Sequence, residues 1–90
     1  MPLYRKRPVT VEAIRYTGKN FKRIRNWIGS HCATLMITKP TLPIVIMTLE
    51  GHMLCRVGDW VIKGIHGEFY PCKNEIFKKT YERVRERDEK

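Results

Sequence analysis

The chain has 90 residues, of which 42% are hydrophobic, so it has enough apolar side chains for one domain with one modest core and too few for two. It carries 18 lysines and arginines against 9 aspartates and glutamates, a net charge of +9, which favours a partner of negative charge. No run of about 18 apolar residues is present, so a membrane-spanning role is excluded. The basic N-terminus is not followed by an apolar run, so it does not resemble a secretory signal.

The first elements in chain order are a predicted strand and a predicted helix. Residues 8–16 are rich in β-branched side chains and alternate loosely between two faces, which is typical of a strand. Asn20 suits the position before a helix over residues 21–28, and Gly29 suits the position after it. One face of that helix is apolar: it carries Phe21, Ile24 and Ile28, with Trp27 at its margin.

The middle of the chain reads as a series of short strands separated by glycine and proline. Glu50-Gly51 is a short turn that predicts a β-hairpin. The tight connections at residues 58–59 and 64–67 indicate further turns, and Pro71 is expected to end the last strand. The predicted strands are residues 33–38, 44–49, 52–57, 60–63 and 68–70.

A second helix is predicted to follow, with Asn74 as its cap. Its apolar side chains are those of Ile76, Phe77, Tyr81 and Val84. The resulting expectation is an α+β fold: a small antiparallel β-meander of five to six strands with two short helices packed on it. Residues 1–84 form a single domain, and residues 85–90 form a charged tail that frays.

Few side chains are arranged for catalysis or metal binding. The cysteines are an odd number (Cys32, Cys55 and Cys72), which argues against a disulfide framework and for a cytoplasmic protein. His52 and Cys55 are the one close pair of zinc-type ligands, but residues three apart on a strand point to opposite faces. Cys72 precedes a helix N-terminus and is the best candidate nucleophile. We therefore expect no metal, no cofactor and no catalytic residue. A cysteine-dependent enzyme ranks third, behind the two binding functions described below.

The positive charge is concentrated in the first third of the chain, which holds eight bases against Glu12 alone. Two tyrosines are interleaved with these bases, a combination that suits phosphates and base stacking. The alternatives are that the charge serves solubility alone and that most aromatic side chains form the core. The predicted anion-binding residues are Arg5, Lys6, Arg7, Arg15, Lys22, Arg23 and Arg25, and the predicted stacking residues are Tyr4 and Tyr16.

Residues 59–72, DWVIKGIHGEFYPC, followed by residues 76–82, IFKKTYE, resemble a family of short uncharacterised accessory proteins encoded by tailed phages and prophages. The beginning of the chain, YRKRPVTVEA over residues 4–13, also resembles that family. Asn74 stands where a proline is usual, and the tail past Val84 is longer. The resemblance implies a phage accessory protein that acts on its host, in the host cytoplasm, and it brings no known site residues with it.

Charge and resemblance together lead to one main expectation. The protein is expected to be a non-enzymatic host-takeover or counter-defence protein that binds a phosphate-bearing anionic ligand, either a nucleotide immune signal or nucleic acid. It is expected to be a homo-oligomer, because so small a core benefits from assembly, and to have no membrane partner. The second alternative is a protein–protein inhibitor that docks on an acidic surface of a host defence complex.

Overall fold

The computed structural model describes residues 1–5, 7–31 and 43–84 and has an α+β fold. Five strands and two helices are present in this part of the chain, with a short 3₁₀ turn at Gly29–His31 after the first helix. The elements are β1 Glu12–Arg15, α1 Phe21–Ile28, β2 Ile44–Thr48, β3 Gly51–Cys55, β4 Trp60–Lys63, β5 Phe69–Cys72 and α2 Asn74–Thr80. None of the described helices has the length and apolar character needed to cross a membrane.

The strands form two antiparallel sheets, not the single predicted meander. One sheet has the order β1-β4-β5, and the other is the hairpin β2-β3. The turn after β3 explains the difference, because it folds against the end of β1. The Gly58 N–H donates to the Tyr16 carbonyl at 2.7 Å, and the Tyr16 N–H donates to the Asp59 carbonyl at 2.8 Å. The chain leaving β3 therefore pairs with β1.

The core lies between the two sheets and α1. Ile24 and Ile28 of α1 are buried there, which confirms the apolar helix face that the sequence predicted. Each apolar side chain of this size contributes about 1.5–3 kcal/mol when it is fully removed from water. Every strand contributes to the packing around this core. The buried cluster consists of Tyr16, Ile24, Ile28, Ile44, Ile46, Cys55, Val61 and Phe69, with Ile14, Phe21 and Trp27 packed against it.

Asn20 connects the end of β1 to the start of α1. Its carbonyl accepts the first helical hydrogen bond, from the Ile24 N–H. Its side chain does not cap the helix as predicted. The Oδ1 atom instead accepts from the Thr17 N–H at 2.9 Å, and the Nδ2 atom donates to the Arg15 carbonyl at 2.7 Å. The residue thus holds strand and helix at a fixed angle.

The second helix differs from its prediction at both ends. Lys73 occupies the cap position, so Asn74 is the first helical residue, and its side chain accepts a hydrogen bond from the Trp60 indole N–H at 3.0 Å. The helix ends at Thr80, so Tyr81 and Val84, which the sequence predicted on its apolar face, lie beyond it. Ile76, predicted to lie on the apolar face, is exposed.

Two strand boundaries also differ from the sequence prediction. Residues 8–11 are outside β1, because its neighbour β4 ends at Lys63 and offers them no partner. Pro71 lies within β5 instead of ending it, directly opposite Val61. Val61 directs its backbone hydrogen bonds towards β1, so the Pro71 nitrogen faces the outer edge of the sheet, where no ladder bond is lost. The predictions for residues 33–38 and 85–90 lie outside the described residues.

Candidate anion-binding groove

A groove of about 1110 Å³ lies on the face of the three-stranded sheet that carries α2. In the β1-β4 register Arg15 is opposite Trp60, and opposed residues point to the same face of a sheet. Trp60 stacks on Phe77 of α2, so Arg15 is on the α2 side of the sheet as well. The groove is bounded by residues 7–11, by β1 and by the end of α2. We call it the arginine groove.

A row of aromatic rings lines the arginine groove. The Trp60 and Phe77 rings are stacked, with centroids 4.0 Å apart and planes at 10°. Phe77 in turn stacks on Tyr81, at 5.0 Å between centroids. The hydroxyl groups of Tyr70 and Tyr81 are 3.4 Å apart and complete the row. All four side chains are half-buried, so part of the row is open to a ligand.

Three of the predicted anion-binding residues, Arg7, Arg15 and Arg23, line this groove, and Arg83 joins them. The Arg15 Nε atom donates to the Gly58 carbonyl at 3.1 Å, which fixes the guanidinium against the turn before β4. Glu68 and Glu82 also line the groove, but four arginines outnumber them. The only ion pair between two described residues is Lys73 with Asp59, at 3.5 Å, so no carboxylate of that set forms an ion pair with a groove arginine.

The remaining predicted cations lie elsewhere. Lys22 and Arg25 are exposed on α1 and do not line the arginine groove. Arg5 lies on the exposed N-terminal segment, next to Tyr4, whose side chain is 93% exposed. Lys6 is outside the described residues. The six predicted cations that the structure describes are therefore divided among separate surfaces.

Tyr16 is not a stacking residue in this fold. Its side chain is 0% exposed, because it belongs to the core between the sheets. Burial is the main cause that raises the pKa of its hydroxyl, and the charge of the Cys55 thiolate is the second. No ring face is left for a ligand, so the prediction that paired Tyr16 with Tyr4 is wrong on this point. The aromatic side chains that do line the groove come from β4, β5 and α2.

Sequence reasoning missed Arg83 and the aromatic row. One signal for the row was available, since Phe77 and Tyr81 are four residues apart and such residues lie on one face of a helix. Their proximity to Trp60 and Tyr70 depends on how α2 packs on the sheet, and this packing cannot be predicted from the spacing of residues in the sequence.

The pKa values of the two described thiols, Cys55 and Cys72, are both raised. Burial, followed by the charge of Asp59, raises the pKa of the Cys55 thiol to about 12. The same two causes raise the pKa of Cys72, whose Sγ points to the Lys73 carbonyl at 3.6 Å. A nucleophilic cysteine needs the opposite shift, so the structure offers no support for Cys72 in that role.

The histidine and cysteine side chains do not converge where they are described. His52 lies opposite Met47 and Cys55 opposite Ile44 in the β2-β3 register, which places them on opposite faces of the hairpin as predicted. Within the described ranges no three side chains of histidine, cysteine, aspartate or glutamate come together as a metal site.

No family model matches the chain, and no match was found among curated proteins or solved structures.

Proposed function

We propose that this protein binds a phosphate-bearing ligand in the arginine groove and performs no catalysis on it. The observation that carries the proposal is the placement of four arginines around a half-open row of aromatic rings. Guanidinium groups match phosphate oxygens in charge and geometry. Aromatic faces stack on nucleobases, with about 1–3 kcal/mol per base. One ligand that carries both phosphates and a base can use both features.

A nucleotide is the form of ligand that the groove supports best. A volume of about 1110 Å³ is close to the range of about 300–1,000 Å³ that is typical of small-ligand sites. The other exposed cations, Lys22 and Arg25, lie outside the groove and do not extend it into a long charged track. A nucleic-acid strand would need such a track to follow its backbone.

Binding assays with a matched pair of variants test this proposal. Arg23→Gln removes a groove cation, and Arg25→Gln removes a cation from the same helix outside the groove. Isothermal titration with nucleoside triphosphates, dinucleotides and single-stranded oligonucleotides should show tight binding of a nucleotide. Arg23→Gln should weaken that binding about tenfold or more, equivalent to loss of a charge-assisted hydrogen bond. Equal losses for both variants would contradict the groove as the site.

Salt dependence separates the two ligand classes. Each phosphate of duplex DNA that a protein neutralises adds roughly −0.9 to the slope of log affinity against log salt, and each one of a single strand about −0.7. A nucleotide in the groove should give a shallow slope, because it brings few phosphates. A steep slope with oligonucleotides, together with no binding of free nucleotides, would favour nucleic acid. Absence of binding by both ligand classes at low salt would overturn the proposal.

The resemblance to phage accessory proteins supports a role in the host cytoplasm. We propose that the ligand is a nucleotide signal of the host and that sequestering it serves host takeover or counter-defence. Purification of the tagged protein from infected cells, followed by mass spectrometry of extracted small molecules, should recover a nucleotide with the wild-type protein and lose it with Arg23→Gln. Recovery of the same nucleotide with both proteins would count against this role.

The exposed cations of α1 favour a second candidate function. Lys22 and Arg25 could meet an acidic surface of a host defence protein, the alternative that charge alone suggested. The variant Lys22→Glu combined with Arg25→Glu should abolish capture of one stoichiometric host protein and leave nucleotide binding unchanged. The groove variant Arg23→Gln should have the reverse effect.

A further inference from the structure

The outer edge of β1 has unused backbone groups. Tyr16 directs both its N–H and its carbonyl towards the turn that precedes β4. Residues alternate in an antiparallel pair, so Ile14 and Glu12 also face β4, while Ala13 and Arg15 face away from it. The Asn20 side chain occupies the Arg15 carbonyl, at 2.7 Å. Among the described residues, none occupies the backbone N–H and carbonyl of Ala13, which face this edge.

The residues before β1 have the sequence of a strand, and none of the five described strands pairs with them. Residues 8–11 are rich in β-branched side chains, and β4 ends before it could reach them. Val9 is 45% exposed. Space is present along the same edge, since a trough of about 690 Å³ runs between β1 and α1. The side chains that line it include those of Val11, Ala13 and Trp27.

We propose that two copies of this chain pair antiparallel through residues 7–15, with a two-fold axis at Val11, to make one continuous six-stranded sheet. In this register Val11 lies opposite the partner's Val11, and Val9 lies opposite the partner's Ala13. These residues direct their backbone groups outward, so the pairing uses the open hydrogen-bonding positions. Thr10 lies opposite the partner's Glu12.

The sequence around Val11 favours a second copy as the occupant of this edge. Val9, Val11 and Ala13 are all apolar and share one face of the strand, so apolar side chains meet apolar side chains when two copies pair about Val11. At each end Arg15 lies opposite Arg7 of the partner subunit, which adds a fifth arginine to the four that already line the groove. Like charges at this position oppose pairing, so added salt should strengthen the dimer.

Two proline variants test the register by removing one N–H each. Val11→Pro removes a donor that the proposed pairing uses, whereas Thr10→Pro removes one that points away from the partner. No hydrogen bond from either N–H is recorded within the described residues, so both variants should fold, which circular dichroism and thermal melting check. In sedimentation equilibrium without ligand, the wild type and Thr10→Pro should have twice the chain mass, and Val11→Pro should have the chain mass.

Cysteine cross-linking gives a second, register-specific readout. Val11→Cys places one cysteine on each side of the two-fold axis. Their Cα atoms would be about 5.5 Å apart, a distance that a disulfide spans. In Thr10→Cys the Cα atoms of the two cysteines would be more than about 7 Å apart, which is too far for a disulfide. Peptide mass spectrometry after mild oxidation should find the residue-11 peptide joined to itself and no such product for residue 10. A wild type that stays monomeric up to millimolar concentration, or equal cross-linking at both positions, would overturn the proposal.

Discussion

The indole ring of Trp60 lies almost parallel to the phenyl ring of Phe77, and the Trp60 N–H donates to the Asn74 side chain at 3.0 Å. Both contacts join β4 to α2. No residue of α2 is fully buried, so partly buried contacts such as these hold the helix on the sheet. The position of one wall of the arginine groove therefore depends on them.

Replacing Phe77 should loosen α2 without unfolding the rest of the chain. Phe77→Ala should cost about 2 kcal/mol, less than the 3–5 kcal/mol of a fully buried phenylalanine, because the side chain is half-buried. Chemical denaturation measures the loss, and tryptophan fluorescence should report a more exposed Trp60. Phe77→Tyr is the control, since it keeps the stack. A loss above about 4 kcal/mol would mean that α2 is part of the main core.

Asp59 should matter far more than its ion-pair partner. Its side chain is 11% exposed and accepts from the Arg56 N–H at 3.0 Å, as expected for a carboxylate in a turn. Asp59→Ala should cost about 1–3 kcal/mol, because it leaves that N–H without its acceptor. Lys73→Ala should cost less than about 1 kcal/mol, since its amine is largely exposed. Equal losses in urea denaturation would show that the ion pair dominates.

Gly67 should be sensitive to substitution for a backbone reason alone. Its φ is 79°, and an added Cβ would meet nothing within 4 Å, so no clash contributes. Gly67→Ala should destabilise the protein by about 1 kcal/mol, and Gly67→Asn by less, because asparagine tolerates the left-handed region better. Thermal melting of the two variants checks the order. If alanine were as stable as glycine, the turn would adopt another conformation in solution.

Stability should fall at alkaline pH. The folded protein holds the proton of Cys55 up to a pKa of about 12, whereas the unfolded chain releases it near 9. The stabilisation is therefore fully present below about pH 9 and is lost progressively as the pH rises towards 12. Melting temperature measured between about pH 8 and 11 should decrease, and less steeply in Cys55→Ala. The buried Tyr16 should retain part of the slope in that variant, since its pKa is also raised. Parallel slopes for both proteins would contradict the Cys55 contribution.

Local patterns predicted the local elements well. Helix α1 has the predicted bounds because its apolar spacing and flanking residues all act within a few positions of the chain. The β2-β3 hairpin and β4 were predicted from their turns for the same reason. The pairing of β1 with β4 joins residues almost fifty positions apart, so no local pattern indicated it. The same separation explains why two sheets were taken for one meander.

The candidate site was predicted only in part. Charge counting identified the arginines at positions 7, 15 and 23 but could not separate them from Lys22 and Arg25, because facing a groove or the solvent depends on tertiary packing. Tyr16 was misassigned because an aromatic side chain beside a base suits both a core and a stacking surface. Arg83 lies in a run of mixed charges and reaches the groove only through the position of α2.

Pro71 has a consequence for aggregation. The half-buried Pro71 lies at the outer margin of β5 and offers no N–H there, so a strand added along that side would lack a ladder hydrogen bond. An unprotected margin at both sides would let copies add end to end into a fibril. With one side blocked, association through the other side stops after a single step, and replacing Pro71 with valine would remove this safeguard.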